Sequence, residues 1–166
     1  MGAYAVSKEI KMKVKFIHIP NGLTPFLAEY RMNLFAKDNC PAVMKIDTWL
    51  DLWLERYFKG RSVNNRTNYL ISDNPDRNHR GIIPVTSVKE LPSDITEIWV
   101  LGNAKFLQQF VYTATAFEIH TQREYTEYLL TCLNQFPEFV LFEQTISNRM
   151  SVLNYKHSHI LNRIDL

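Results

Sequence analysis

Two charged side chains, Glu29 and Arg66, carry functional groups that bind or protonate small polar ligands. A carboxyl group can hold one planar edge of a ligand through two hydrogen bonds and can exchange a proton with it. A guanidinium group pairs with a carboxylate through two parallel hydrogen bonds. On its own, Glu29 is more simply interpreted as a solvated acid on an amphipathic helix, and Arg66 as a surface arginine in a turn.

A helix start near Asp47 and Thr48 is a second feature that could bind a ligand. The run 42–44 before it is continuously apolar, which is typical of a central strand in a parallel sheet. Asp47 or Thr48 can cap the helix that follows and carries Trp49. Because the free N–H groups and the dipole at a helix start attract anions, this position could hold a phosphate.

The composition disfavours several classes of function. Cys40 and Cys132 lie far apart and lack metal-ligand spacing, so two free thiols in a reducing compartment are expected. A net charge of +2, with scattered basic residues, gives no footprint for nucleic acid. Residues 1–15 lack the apolar core of a signal peptide, and no apolar run reaches about 18 residues. The sequence therefore predicts a cytoplasmic protein without a membrane partner.

Strands and helices alternate along the chain, which predicts a single α/β domain over residues 1–166 with a mostly parallel sheet and an antiparallel C-terminal pair. Residues 1–12 are interpreted as a flexible or edge extension. The predicted strands are Val14–Ile19, Ala42–Met44, Asn68–Ile71, Ile82–Val85, Glu97–Leu101, Thr115–His120, Phe139–Glu143 and Tyr155–Leu161. The predicted helices are Pro25–Lys37, a helix beginning at Asp47 or Thr48, Ser87–Leu91, Ala104–Val111 and Glu124–Leu133.

Four segments, in this order, resemble the dihydrofolate reductase family. They are 27–32 (LAEYRM), 41–49 (PAVMKIDTW, similar to the family's P-V-I-M-G-R-x-T-W), 60–72 (GRSVNNRTNYLIS, similar to G-R-x-x-x-x-R-x-N-x-x-L-S) and 97–102 (EIWVLG). The resemblance implies a three-layer fold around a twisted, mostly parallel central sheet. It also implies the NADPH-dependent reduction of 7,8-dihydrofolate to tetrahydrofolate, a reaction of one-carbon metabolism.

The resemblance also implies roles for individual residues. Glu29 matches the carboxylate that holds the pterin ring and supports its protonation. Arg66 matches the arginine that binds the α-carboxylate of the folate glutamate tail, and the other substrate-binding positions are Tyr30, Ile19 and His120. The positions expected to bind the cofactor are Thr48, Trp49, Ser72, Leu101, Gly102, Asn103 and Lys105.

The sequence departs from the family mainly on the cofactor side. The pair Gly102-Asn103 replaces two glycines that the family joins by an unusual cis peptide. Lys45-Ile46 replaces a glycine and an arginine, which removes a phosphate clamp. Asp47 and Asp73 add negative charge where phosphates are expected, and like charge near a 2′-phosphate is unfavourable. We therefore expect weak or absent NADPH binding.

Two further departures affect the substrate side and the surface. Only the nine residues Pro20–Ala28 separate the first strand from Glu29, about half of the family's lid, and the segment lacks tryptophan. An alternative register starts the lid at Ala5–Ile10. Extra residues in the second helix add Trp53, Tyr57 and Phe58, which form either a protein-partner surface or an extension that packs on its own domain.

These observations leave two main functions open. The first is a divergent reductase with weak or lost activity, using NADPH and a folate-like molecule. The second is a non-catalytic binding or regulatory protein, a pseudoenzyme on the same fold with no cofactor. A pyrimidine-type reductase has little specific support. The high content of Asn, Lys, Ile, Tyr and Phe is typical of an AT-rich genome such as that of a phage.

Overall fold

A computed structural model describes residues 11–54, 66–72 and 82–159, with the backbone alone for 52–54. The strands are β1 (Met12–His18), β2 (Ala42–Lys45), β3 (Asn68–Ile71), β4 (Ile82–Val85), β5 (Glu97–Gly102), β6 (Ala114–Gln122), β7 (Phe139–Ile146) and β8 (Met150–His157). The helices are α1 (Pro25–Phe35), α2 (Ile46–Leu54), α3 (Ala104–Gln108) and α4 (Thr126–Asn134), with 3₁₀ turns at Val88–Glu90 and Arg123–Tyr125.

The strands form one eight-stranded sheet in the order β4-β3-β2-β5-β1-β6-β8-β7. Strands β1 to β6 pair in parallel, whereas β8 is antiparallel to both β6 and β7. The prediction of a mostly parallel sheet with an antiparallel C-terminal pair is therefore confirmed. Pro84 lies in β4, the strand at one edge of the sheet. An edge strand has a partner on one side only, so a residue without an N–H group is tolerated there.

Helices cover both faces of the sheet. Phe16 of β1 packs in a core with Phe106 of α3 and Leu129 of α4. The next residue, Ile17, points to the opposite face and packs with Phe35 of α1 and Trp49 of α2. Since successive strand residues alternate between faces, the sheet lies between two helical layers with a separate apolar core on each side.

Most predicted elements appear close to their expected bounds, but three differ. The predicted helix Ser87–Leu91 is only a 3₁₀ turn, Val88–Glu90. Helix α2 begins at Ile46, so Asp47 lies inside the first turn and not at the cap. The last strand, β8, begins at Met150, earlier than predicted. A tight turn in which the Ser147 N–H donates to the Met150 carbonyl at 2.8 Å starts the antiparallel pairing there. No helix in the described segments has the length and apolar character needed to cross a membrane.

Candidate functional site

The carboxyl ends of six parallel strands meet at one edge of the sheet. Helices α1 and α2, which follow β1 and β2, pack on one face, whereas α3, which follows β5, packs on the other. Strands β2 and β5 are neighbours, with Met44 beside Leu101. The helices that leave them therefore diverge, and such a switch point opens a crevice in which α/β proteins commonly bind ligands.

A cavity of about 350 Å³ lies at this edge, a volume within the usual range of ligand pockets. It is lined by Lys45, Ile46, Asp47, Ile71, Ser72, Thr86, Ser87 and Gln109. The lining combines the first turn of α2 with one ammonium, one carboxylate and three hydroxyl groups. A helix start and a lysine favour an anionic group, whereas Asp47 opposes a second one nearby.

A second cavity, of about 520 Å³, lies at the opposite edge of the sheet. It is lined by Asn39, Cys40, Pro41, Tyr69, Asp94, Ile95, Thr96 and Glu97. These residues stand mainly at the amino ends of β2 and β5, where no helix begins against the sheet. We therefore take the cavity at the carboxyl edge as the candidate site, although it is the smaller of the two.

The junction of β5 and α3 is built around Gly102-Asn103. The Ile19 N–H donates to the Gly102 carbonyl at 2.7 Å, which fixes the end of β1 to this turn. A Cβ atom on Gly102 would lie 2.8 Å from Cδ2 of Phe106. Asn103 caps α3, since its Oδ1 accepts from the Phe106 N–H at 2.9 Å. No cis peptide occurs among the described residues.

Three polar side chains form a hydrogen-bonded row on the face covered by α1. The Tyr30 hydroxyl lies 2.7 Å from Nδ1 of His120, and Nε2 of His120 lies 2.8 Å from Glu118 Oε2. Burial, followed by the charge of Glu118, raises the pKa of Tyr30 to about 12. The hydrogen bond from His120 outweighs burial and lowers the pKa of Glu118. Tyr30 therefore stays protonated and Glu118 ionised near neutral pH.

Arg66 lies at the amino end of β3, away from the cavity, and its guanidinium is fully buried. It donates to the carbonyls of Phe35, Cys40 and Asp38 at 2.5, 2.6 and 2.7 Å. It also donates to Asp38 Oδ1 at 3.0 Å. In this conformation Arg66 ties the end of α1 to the sheet, and its donors are directed into the protein.

The remaining predicted residues are distributed over several environments. Glu29 is exposed on α1 rather than enclosed in an apolar pocket. Ser72 lines the cavity, and Thr48 is half-buried in the first turn of α2. Ile19, Leu101 and Trp49 are buried in the core, and Lys105 is exposed on α3. The predicted partner surface at Trp53, Tyr57 and Phe58, together with Asp73 and Ala5–Ile10, lies outside the residues whose side chains are described.

Glu29, Thr48, Arg66 and Gly102 therefore do not converge on one cleft, because Arg66 stands at the amino edge and Glu29 faces outward. Sequence reasoning missed Thr86 and Ser87, although polar residues directly after a parallel strand are a usable signal. It also missed Glu118, whose spacing of two from His120 places both side chains on one face of a strand.

The described segments contain no group of three or more His, Cys, Asp or Glu side chains arranged to bind a metal ion. No model of a known protein family matches the sequence, and no curated protein matches it at a significant level.

Proposed function

We propose that this chain is a dihydrofolate-reductase-like oxidoreductase, by resemblance an NADPH-dependent reductase of 7,8-dihydrofolate or a related pterin, with a weakened coenzyme site. The observation that carries the proposal is the position in the fold that three of the resembling segments share. Segments 41–49, 60–72 and 97–102 supply Lys45, Ser72 and Gly102, all at the carboxyl edge of the sheet. Strands β2, β3 and β5 are parallel, so their carboxyl ends share this edge, and the crevice at the β2–β5 switch point lies beside Lys45 and Gly102.

The residues at this edge fit the polar part of a dinucleotide. The first turn of α2 and the Lys45 ammonium suit a phosphate, and the hydroxyls of Ser72, Thr86 and Ser87 suit a ribose. Asp47 opposes an additional 2′-phosphate, so the preference for NADPH over NADH should be small. When bound, the dihydronicotinamide supplies hydride, and the protein binds, orients and protonates.

A second candidate, a non-catalytic binding protein on the same fold, is favoured by two observations. Glu29 is exposed rather than enclosed. Arg66 is used inside the protein, so its guanidinium is not presented to a folate tail. A folded chain that neither binds a coenzyme nor turns over 7,8-dihydrofolate would support this second candidate.

The test is calorimetric titration of NADPH and NADH into the full chain, followed by turnover assays with 7,8-dihydrofolate. Saturable binding that weakens about tenfold or more in Lys45→Ala would support the proposal, since one charge-assisted contact is worth about 1.5–3 kcal/mol. Lys37→Ala, at an exposed lysine just after the C-terminal end of α1, is the matched control. If neither coenzyme binds, the reductase is excluded and the second candidate, a binding protein without a cofactor, is favoured.

A further inference from the structure

We propose that Tyr30, supported by His120 and Glu118, donates the proton to the C=N nitrogen of the substrate. Tyr30 is then the catalytic acid, and His120 and Glu118 are positioning residues that act through it. The inference rests on the proposed function, because it assigns the source of the proton in that reduction.

The three side chains form a continuous row from the strand to the helix. Glu118 and His120 project from the same face of β6, and Tyr30 reaches them from α1. The two distances, 2.7 Å to Nδ1 and 2.8 Å to Nε2, are those of well-formed hydrogen bonds. With both ring nitrogens of His120 occupied, its orientation is fixed by its partners.

Burial distinguishes the centre of this row from its two ends. His120 is 4% exposed, and its ring centroid lies 5.8 Å from that of Trp99. Tyr30, in contrast, is only half-buried. Glu118 is also half-buried and has a second partner, Lys13 Nζ at 3.5 Å. The protected histidine therefore connects an ionised acid to a phenol that is half-buried.

The row lies on the sheet face that leads to the Gly102 turn. Ile17 of β1 is paired with His120 on one side and with Leu101 on the other. Because neighbouring strands are about 4.8 Å apart, His120 lies about 10 Å from the strand that ends at Gly102. The row therefore lies two strands from the β5–α3 turn, on the face of the sheet that α1 covers.

The chemistry of the row matches the needs of a C=N reduction. When His120 is protonated, it donates through Nε2 to Glu118 and through Nδ1 to the Tyr30 oxygen, which leaves the phenol O–H for the ligand. In the reaction the Tyr30 O–H bond breaks as the substrate N–H bond forms, and the Nδ1 proton of His120 moves to the phenol oxygen. Glu118 keeps its hydrogen bond to Nε2 throughout.

Electrons and protons balance in this step. A dihydronicotinamide coenzyme gives a hydride to the carbon of the C=N bond and becomes oxidised to the pyridinium form. The π electrons of that bond form the new N–H bond with the proton from Tyr30. The substrate gains two electrons, and neutral His120 regains one proton from solvent before the next cycle.

The first test needs no turnover. Imidazole nitrogen NMR on the full chain, with His120→Gln used for assignment, should show an Nδ1 signal of His120 that moves in Tyr30→Phe. Tyr112→Phe, which removes a hydroxyl from a side chain 82% exposed, is the control and should leave the signal unchanged. An identical His120 signal in wild type and Tyr30→Phe would show that the hydrogen bond is absent and would overturn the inference.

The second test measures turnover with 7,8-dihydrofolate and the coenzyme that binds. We expect Tyr30→Phe to lower kcat about 100-fold, as removal of a general acid does, with KM within about threefold of wild type. Glu118→Gln should also lower kcat, whereas Tyr112→Phe should not. A tyrosine that only packs would lower the unfolding temperature and leave kcat of the folded enzyme unchanged.

The two proposals can fail separately. If wild type turns over and Tyr30→Phe keeps its kcat, the inference is wrong and the proposed function stands. If wild type shows neither coenzyme binding nor turnover, the proposed function fails and the inference fails with it.

Discussion

At the scale of single residues, Asp38 organises the polar interactions under the end of α1. Its carboxylate accepts from Lys15 Nζ at 2.7 Å, from Trp99 Nε1 at 3.1 Å and from the Arg66 guanidinium. Burial alone would raise the pKa of Asp38, but these hydrogen bonds hold it well below its usual range. A charged acid is therefore built into the structure beside two buried cations.

Replacing this acid should be costly. We expect Asp38→Ala to lower the free energy of unfolding by about 3 kcal/mol, because the buried Arg66 would lose its carboxylate and Lys15 would be left with the carboxylate of Glu97, at 3.7 Å. Urea unfolding at neutral pH measures the change. Asp94→Ala, at an exposed acid, is the control and should change stability by less than about 0.5 kcal/mol. Equal effects of the two variants would show that Asp38 does not have this role.

His18 should make stability depend on pH. Burial lowers the pKa of His18 to about 4, below its ordinary value of 6.5. The unfolded chain takes up a proton first, so the contribution of neutral His18 is complete above about pH 6.5 and is lost as the pH falls toward 4. We expect about 2 kcal/mol less stability near pH 5 than near pH 7, with this loss removed in His18→Gln.

The matched control is His159→Gln, at an exposed histidine. Urea unfolding over the same pH range should give it the wild-type dependence. If the stability of His18→Gln depends on pH as that of wild type does, the group responsible is not His18.

Arg66 should affect stability rather than recognition of a folate tail. Under the proposed function, a dihydropterin without the glutamate tail should have a KM within about threefold of that of 7,8-dihydrofolate, because the Arg66 guanidinium is engaged by internal carbonyls. Steady-state kinetics on both substrates measures this ratio. A tenfold or larger advantage for the substrate with the tail would show that Arg66 leaves its internal partners and binds the carboxylate.

At the scale of elements, the junction of β5 and α3 shows how one tight contact positions a site. Gly102 leaves no space for a side chain, since the Phe106 ring is packed against it and is 1% exposed. Asn103 then caps α3, which packs on the face of the sheet opposite to that covered by α2. This change of direction creates the crevice between α2 and α3.

Gly102→Ala should therefore destabilise the fold. A methyl group 2.8 Å from Phe106 Cδ2 forces a buried ring to move, which costs about 1–3 kcal/mol. Thermal and urea unfolding measure the loss. The double variant, Gly102→Ala with Phe106→Leu, should lose less stability than the sum of the losses in the two single variants, because the clash is partly relieved. Strictly additive effects would show that the two residues do not collide.

At the scale of the whole molecule, the sheet separates two cavities with different surroundings. The carboxyl edge has Lys45 and the first turn of α2, whereas the amino edge has Asp94 and Glu97. An anionic ligand should therefore bind in the cavity at the carboxyl edge, although the cavity at the amino edge is larger.

Hydrogen exchange can locate the ligand. With NADH or NADPH at saturation, amide protection should rise at Lys45–Asp47, Ser72 and Thr86, and should stay unchanged at Asn39–Cys40 and Thr96. Ligand at about 100 times its Kd adds about 2.7 kcal/mol of stability, which is enough to detect by urea unfolding. Increased protection confined to the amino edge would assign the site to the other cavity.

The sequence by itself determined the order and type of most elements. The continuous apolar run at 42–44, Pro25 at a helix start and the alternation around Glu97–Leu101 are local signals, because burial on one or two faces imposes a period on the chain. The antiparallel C-terminal pair also followed from local turn residues near Ser147.

Only the tertiary structure decided which polar side chains are structural and which can reach a ligand. Arg66 is occupied by carbonyls at 35, 38 and 40, more than twenty-five positions away, and Tyr30 meets His120 across ninety positions. Contacts of this kind depend on how α1 crosses the sheet, and no local pattern encodes them. The sequence determined which functional groups are available, and packing of the helices against the sheet determined how each of them is used.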